Sequence, residues 1–327
     1  MLIAVLLLSA LILSFALTLF IKNWAVRNSL TDNPNERSSH TLPTPRLGGI
    51  AIIAVWFPGL TALYFLGYVE QNLFNALLCG LPVAGVSIVD DLYGLGFKVR
   101  LLAHFMAAGL AFYFLNGLRY FYTFDLHINM PYLVFPIFVI GMVWFINLFN
   151  FMDGLDGFAS TEAIFIAFVL AYFSESVLPW LLIASIAGFL YWNWPKAKIF
   201  MGDAGSTQLG FVLIVLGLYY HNNLSFSILN WLMIAAPFWF DATFTLFQRW
   251  RNKEKLSQAH RKHAYQRLTK LGLSHLQVNL ILYAMNMSIL SMVFIYRSHY
   301  YLKIPLTVFT IVGMYFLYKA LDKKVPF

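Results

Sequence analysis

Apolar runs of about 17–22 residues recur along the chain, separated by short polar segments, and this pattern most restricts what it can fold into. A run of that length spans a bilayer as a helix, with every backbone N–H and C=O satisfied inside the segment. The alternation of polar and apolar residues that marks an outer-membrane barrel is not evident. Composition agrees: 60% of the 327 residues are hydrophobic and 11% charged, where a soluble domain is about half apolar and about a quarter charged. The expectation is an all-α, polytopic membrane protein forming a single integral-membrane domain over residues 1–327. The single cysteine, Cys79, excludes a disulfide framework and a cysteine metal site.

About eleven spans are expected, over 1–21, 47–67, 72–89, 99–117, 131–149, 157–174, 177–191, 205–221, 226–247, 278–296 and 304–320. The first lacks a basic leader and a small-residue cleavage site, so it reads as a retained span. With this segmentation nineteen of the 22 Lys and Arg fall on one side, leaving Arg119, Arg297 and Lys303 on the other. The positive-inside rule makes the rich side cytoplasmic, with the N-terminus periplasmic and the C-terminus cytoplasmic. The net charge of +8 therefore speaks of membrane orientation and not of nucleic acid.

The unusual polar residues gather on that same side. They are Asp90-Asp91, "NLFNFMDGLDG" (Asn147 to Gly157), "KAKIFMGDAGS" (Lys196 to Ser206), "AHRKHAYQRL" (Ala259 to Leu268) and "NPNERSSHTLPTPRLGG" (Asn33 to Gly49). An ionisable group inside a bilayer costs about 2.5–3.5 kcal/mol on insertion scales, so such residues pair, line a cavity or bind something. Spacing of three puts Asn147, Asn150, Asp153 and Asp156 along one helical face. Asp156 also suits an N-cap, and Asp90-Asp91 could be two solvated acids capping a helix start near Lys98 and Arg100. Asp203 stands at a helix N-terminus, where it is either stabilised alone or holds a cation against a phosphate. Asp241 reads as one half of an ion pair. His260 and His263 lack a third zinc ligand; with Arg261, Lys262 and Arg267 they suit anionic oxygens, or anchor the loop at anionic lipids. His40, Thr44 and Arg46 extend the same cationic collar or are ordinary juxtamembrane residues. Hard oxygen donors with a basic rim fit Mg²⁺ and phosphoryl transfer, at a surface reached by a soluble nucleotide and by a lipid phosphate.

Five of these segments, in the order "NPNERSSHTLPTPRLGGIAI", "VDDLYGL", "NLFNFMDGLDGFAS", "IFMGDAGSTQLGF" and "HRKHAYQRL", resemble the polyprenyl-phosphate N-acetylhexosamine-1-phosphate transferases, glycosyltransferase family 4. The resemblance implies transfer of N-acetylhexosamine 1-phosphate from a UDP-sugar to undecaprenyl phosphate, with release of UMP. It implies Mg²⁺, with Mn²⁺ as the substitute, at the bacterial inner membrane, and it admits a homodimer. Carried over by motif, Asp203 resembles the principal metal ligand and Asn150 a second one. Asp90 and Asp91 match paired aspartates at the metal and lipid phosphate, and Asp153 and Asp156 match acidic positions of the nucleotide-sugar pocket; these four form the expected catalytic set. Arg100 stands where relatives have a phosphate-binding lysine, and His260, His263 and Arg267 lie in the loop that contacts the sugar nucleotide. Asn147, His40 and Arg46 complete the expected substrate-binding set. The His-Arg-Lys-His-Ala-Tyr-Gln-Arg variant resembles O-antigen initiators that use 6-deoxy donors such as UDP-FucNAc or UDP-QuiNAc, with a UDP-GlcNAc-specific enzyme of common antigen or teichoic-acid linkage as the alternative.

Two rivals fit less well. A proton-coupled transporter would hold its acids near the midplane between inverted repeats, which are not evident. A CDP-alcohol phosphotransferase would carry an Ala-Arg pair soon after Asp153-Gly154, where this chain has Leu-Asp-Gly-Phe-Ala-Ser.

Overall fold

The computed structural model describes residues 1–34, 42–121, 126–127, 134–256, 258 and 260–327. The first helix, α1 (Leu2–Arg27), runs unbroken because no Gly or Pro interrupts it. It is followed by α2 (Gly49–Phe65), α3 (Gln71–Leu78), α4 (Gly80–Tyr93), α5 (Phe97–Phe114), α6 (Phe135–Phe151), α7 (Phe158–Ser174), α8 (Leu178–Asn193) and α9 (Gly202–Asn222). Then come α10 (Ile228–Ile234), α11 (Ala236–Arg251), α12 (Ala264–Lys270), α13 (His275–Ser298) and α14 (Lys303–Lys324). Two antiparallel pairs of two-residue strands, Thr31–Asp32 with Thr44–Pro45 and Tyr120–Phe121 with Leu126–His127, tie loop ends together. Sequence punctuates the helices where expected: Gly94 closes α4 in the left-handed region at φ 71°, and Pro237 opens α11 in its first turn.

The expectation of eleven spans is overturned. Among the described residues, five helical segments are long and apolar enough to cross a membrane: Leu2–Arg27, Gln71–Tyr93, Phe97–Phe114, His275–Ile295 and Lys303–Lys324. The apolar helices α2, α6 and α7 have 17 residues and α8 has 16. At 1.5 Å per residue these reach about 24–26 Å, short of a hydrocarbon core about 30 Å thick. The run over 226–247 divides into α10, of 7 residues, and α11, of 16. An apolar run in sequence includes caps and turns, so it overstates the length of helix inside it. The protein is all-α and polytopic, with fewer full-length spans.

Helix α9 forms the centre, buried along nearly its whole length and packed against α2, α4, α6 and α7, while α1 lies on α8 and α2. A helix buried on every side is a core element. Its N-terminal end is stitched to the start of α2: Phe200 N–H donates to Pro45 O at 2.8 Å, Gly48 N–H to Phe200 O at 2.9 Å and Gly49 N–H to Met201 O at 2.8 Å. The crossing needs glycine, because a Cβ on Gly49 would fall on the backbone of Gly205. Gly49→Val is therefore expected to push α2 off α9, costing about 1–3 kcal/mol, whereas Gly141→Ala, whose new methyl meets open space, should stay within about 0.5 kcal/mol. Thermal unfolding of the two variants in detergent checks this; equal melting temperatures would refute it.

Candidate active site

Four helix ends meet where α9 begins. The last turn of α4 brings Asp90 and Asp91, the first turn of α5 brings Arg100, the last turn of α6 brings Asn150, and the first turn of α9 brings Asp203 and Ser206. Arg100 Nη1 donates to Asp90 Oδ2 at 2.8 Å and to Asp203 Oδ2 at 2.5 Å. Asn150 Nδ2 donates to Asp203 Oδ1 at 2.9 Å and to Ser206 Oγ at 3.0 Å. Asp203 is thus the centre of the cluster, about a third exposed, with a cation held between it and the more buried Asp90.

Asp91 faces a different way. Its Oδ1 accepts from the Asp203 N–H and its Oδ2 from the Ala204 N–H, each at 3.0 Å, so it clasps the N-terminus of α9. Gly202, at φ +78°, makes room for it, since a Cβ there would press on the Asp91 carboxylate. Arg46 lies within electrostatic reach of Asp91, and its Nε is buried without a hydrogen-bond partner among the described residues.

Asp153 follows α6 and is half-buried. Its carboxyl is held well above the ordinary range, first by burial and then by the charges of Asp203, Asp91 and Asp156. A cation held at Asp203 would offset part of that repulsion. Asp156 is instead tied into the packing. Its Oδ2 takes the Ala197 N–H at 3.1 Å and lies 3.1 Å from His275 Nδ1, and its carbonyl accepts from Asn279 at 2.9 Å. Asn147 does not reach the cluster; it donates to Val143 O at 2.7 Å and meets His104 Nδ1 at 3.3 Å. His40 lies outside the described residues.

The loop between α11 and α12 carries the remaining expected residues. Asp241 in α11 accepts from the Ala264 N–H at 2.9 Å and the Tyr265 N–H at 3.2 Å, and lies 3.4 Å from His263 Nδ1. It is both a pair for His263 and the cap of α12. Arg249, almost fully buried, gathers the loop by donating to Glu254 and to the carbonyls of Lys255, Leu256 and Gln258. Burial, then the neighbouring His263 and Arg249 charges, hold His260 down to about 3, so at neutral pH it is an uncharged imidazole and no cation. Arg267 is 1% exposed and turned towards α14, not towards Asp203. The half-buried Arg261 keeps a buried Nε without a partner among the described residues, in a group with Lys262, Arg267 and Lys270, where burial and then the neighbouring positive charges lower Lys270.

Tyr265 joins the two halves: its hydroxyl donates to Phe151 O at 2.9 Å and its ring stacks on Phe158 at 4.9 Å. Sequence reasoning missed Ser206, His275, Arg249 and Tyr265. Ser206 lies inside the quoted "KAKIFMGDAGS" motif, one helical turn from Asp203, and Tyr265 inside the quoted "AHRKHAYQRL" segment, which were their available signals; His275 and Arg249 gave none.

Among the described residues, no three His, Cys, Asp or Glu side chains converge to hold a metal by themselves. The donors present are nevertheless of the right kind for Mg²⁺, which takes one or two carboxylates and completes its shell with water and substrate oxygens. Asp90 and Asp203 already share a cationic group, and half a turn of the Asn150 amide exchanges its donor for a carbonyl oxygen beside Asp203.

The glycosyltransferase family 4 profile matches residues 73–221, the stretch that carries Asp90, Arg100, Asn150 and Asp203. A probable undecaprenyl-phosphate N-acetylglucosaminyl 1-phosphate transferase of Bacillus subtilis is 30% identical over 282 residues, covering 82% of this chain and 77% of that protein. The undecaprenyl-phosphate α-N-acetylglucosaminyl 1-phosphate transferase of Thermotoga maritima is 29% identical over 265 residues, 80% of either chain. A decaprenyl-phosphate N-acetylglucosaminephosphotransferase of Mycobacterium tuberculosis is 26% identical over 330 aligned positions, 84% of this chain and 78% of the other. With identity sustained over more than three quarters of both chains in the first comparison, and the profile lying on the helices that build the cluster, the chain belongs to glycosyltransferase family 4.

Proposed function

We propose that this protein transfers N-acetylhexosamine 1-phosphate from a UDP-N-acetylhexosamine to undecaprenyl phosphate at the cytoplasmic face of a bacterial inner membrane, releasing UMP and starting a lipid-linked surface glycan such as O-antigen. The observation that carries the reading is Asp203 held between Arg100 and Asn150, with Asp90 on the same guanidinium, at the N-terminus of α9. The names of the relatives supply the class of donor and acceptor.

Asp203 and Asp90, with Asn150, would hold Mg²⁺ or Mn²⁺, which supplies charge neutralisation on the pyrophosphate oxygens. An oxygen of the lipid phosphate attacks the β-phosphorus of the UDP-sugar; the new P–O bond forms as the bond to the bridging oxygen breaks, and UMP leaves with the electron pair. A phosphate monoester with a second pKa near 6 is mostly a dianion at neutral pH, so it needs neither a protein nucleophile nor a base. Arg100 meets phosphate oxygens as a planar donor, while Arg46 and Arg261 contribute cationic groups whose buried Nε atoms lack partners among the described residues. Asp153 and the loop that carries His263 are assigned to the sugar nucleotide.

The test is UMP release by detergent-purified protein given undecaprenyl phosphate and a panel of UDP-sugars. The expected result is UMP formed in step with lipid-diphosphate-sugar and stopped by EDTA. Higher kcat/KM with UDP-QuiNAc or UDP-FucNAc than with UDP-GlcNAc would support the 6-deoxy donor that the loop variant favours, and the reverse order would assign N-acetylglucosamine. No UMP from any of these donors would end the proposal.

A further inference from the structure

Arg267 is the largest charged side chain fully enclosed among the described residues, and its partners come from the end of α14 and the segment after it. Its Nη2 donates to Asp322 Oδ1 at 2.7 Å and also to the Val325 carbonyl. Its guanidinium lies 5.2 Å from the ring of Tyr318 and 5.9 Å from that of Phe327, and its Nε and Nη1 have no hydrogen-bond partner among the described residues. Asp322 further accepts from Gln248 in α11 at 3.4 Å and from Lys319 at 3.2 Å. One carboxylate therefore ties α11, α12 and α14 together. Phe327 also lies under the ammonium of Lys262, at 4.8 Å, and Lys262 in turn pairs with Glu254 at 2.5 Å on the far side of the loop.

We propose that Asp322 and the segment to Phe327 act as a latch that sets the position of the α11–α12 loop, with Asp322 a positioning residue for nucleotide-sugar binding. The inference rests on the reading that this loop serves the UDP-sugar. A buried guanidinium with its carboxylate removed is left uncompensated, and α12, only 7 residues long, is too short to hold its own shape. Asp241 fixes the start of α12; Asp322 fixes its far end. Loss of the latch frees the basic stretch Arg261–Lys262–His263 while leaving the Asp203 cluster, built on α4, α5, α6 and α9, in place.

The experiment compares Asp322→Ala, Asp322→Glu and Phe327→Ala with the unaltered protein, using separate KM values for UDP-sugar and undecaprenyl phosphate, UDP binding by calorimetry, and trypsin cleavage after Lys253, Lys255, Arg261 and Lys262. His263→Ala serves as the control for the loop itself. Asp322→Ala is expected to raise the KM for UDP-sugar and the Kd for UDP about tenfold, to speed cleavage in the loop, and to leave the KM for the lipid phosphate unchanged. Asp322→Glu should recover most of the affinity, and Phe327→Ala should show a smaller shift in the same direction. Unchanged UDP-sugar KM in Asp322→Ala, with His263→Ala raising it, would overturn the latch and leave the loop's role standing. Faster trypsin cleavage in Asp322→Ala with no change of KM in either variant would keep the clasp but remove the loop from sugar-nucleotide binding. Equal rises in both KM values with a fall in melting temperature would show general support of the fold and overturn the positioning role.

Discussion

Asp203→Asn is expected to lower kcat by about 10²–10³-fold or more while leaving the protein folded. The substitution keeps the size of the side chain and an oxygen for Asn150, so the packing at the start of α9 is undisturbed. What it removes is the anionic oxygen that Arg100 grips at 2.5 Å. Both partners are about a third exposed, and an ion pair screened to that extent contributes about 0–1 kcal/mol to stability. The loss should therefore show in turnover and in Mg²⁺ requirement, not in melting temperature. A Mg²⁺ titration of UMP release, run beside thermal unfolding, separates the two. Turnover like that of the unaltered protein would remove Asp203 from the centre of the site and the proposed chemistry with it.

The parts of this arrangement that sequence makes legible are those encoded locally. Asp90, Asn150 and Asp203 each sit in a short polar stretch at an apolar boundary, and a helix end at each boundary is enough to bring them to one level of the membrane. Arg100 follows because it is one turn into the next helix. The span count fails for a related reason: hydropathy follows composition, and cannot distinguish a helix from the turns at its ends, as at Leu66-Gly67 after α2 or Ala235 between α10 and α11. Side-chain direction is the other thing a run of letters hides. Asn147 and Asn150 share a spacing of three, yet Asn147 turns to His104 on α5. Arg267 reads as part of a basic loop, and its partner Asp322 lies 55 residues away on another helix. His260 reads as a cation, and burial makes it neutral.

Asp91 shows how two adjacent identical residues divide their work. A helix turn of about 100° separates neighbouring side chains, so if Asp90 faces Arg100, Asp91 must face elsewhere, and it faces the α9 N-terminus. Two backbone N–H groups there would have no acceptor in the first turn of a helix, and a carboxylate satisfies both at 3.0 Å. A cap of this kind is worth about 0.5–2 kcal/mol, with the helix dipole adding about 0.3–1 kcal/mol for the negative charge. Asp91→Ala leaves those donors buried beneath Asp203 and lets the first turn of α9 shift. A displacement of about 1 Å at a reacting centre costs about 10²-fold in rate. Asp91→Ala is accordingly expected to lower kcat about 10²-fold and to lower the melting temperature, and Asp91→Asn, which offers one acceptor and no charge, should fall between. Because the carboxylate acts on the backbone and not on the ion, half-saturation by Mg²⁺ should stay as in the unaltered protein, in contrast to Asp203→Asn. A tenfold or greater rise in the Mg²⁺ requirement of Asp91→Ala at unchanged melting temperature would make Asp91 a metal ligand and not the clasp of α9.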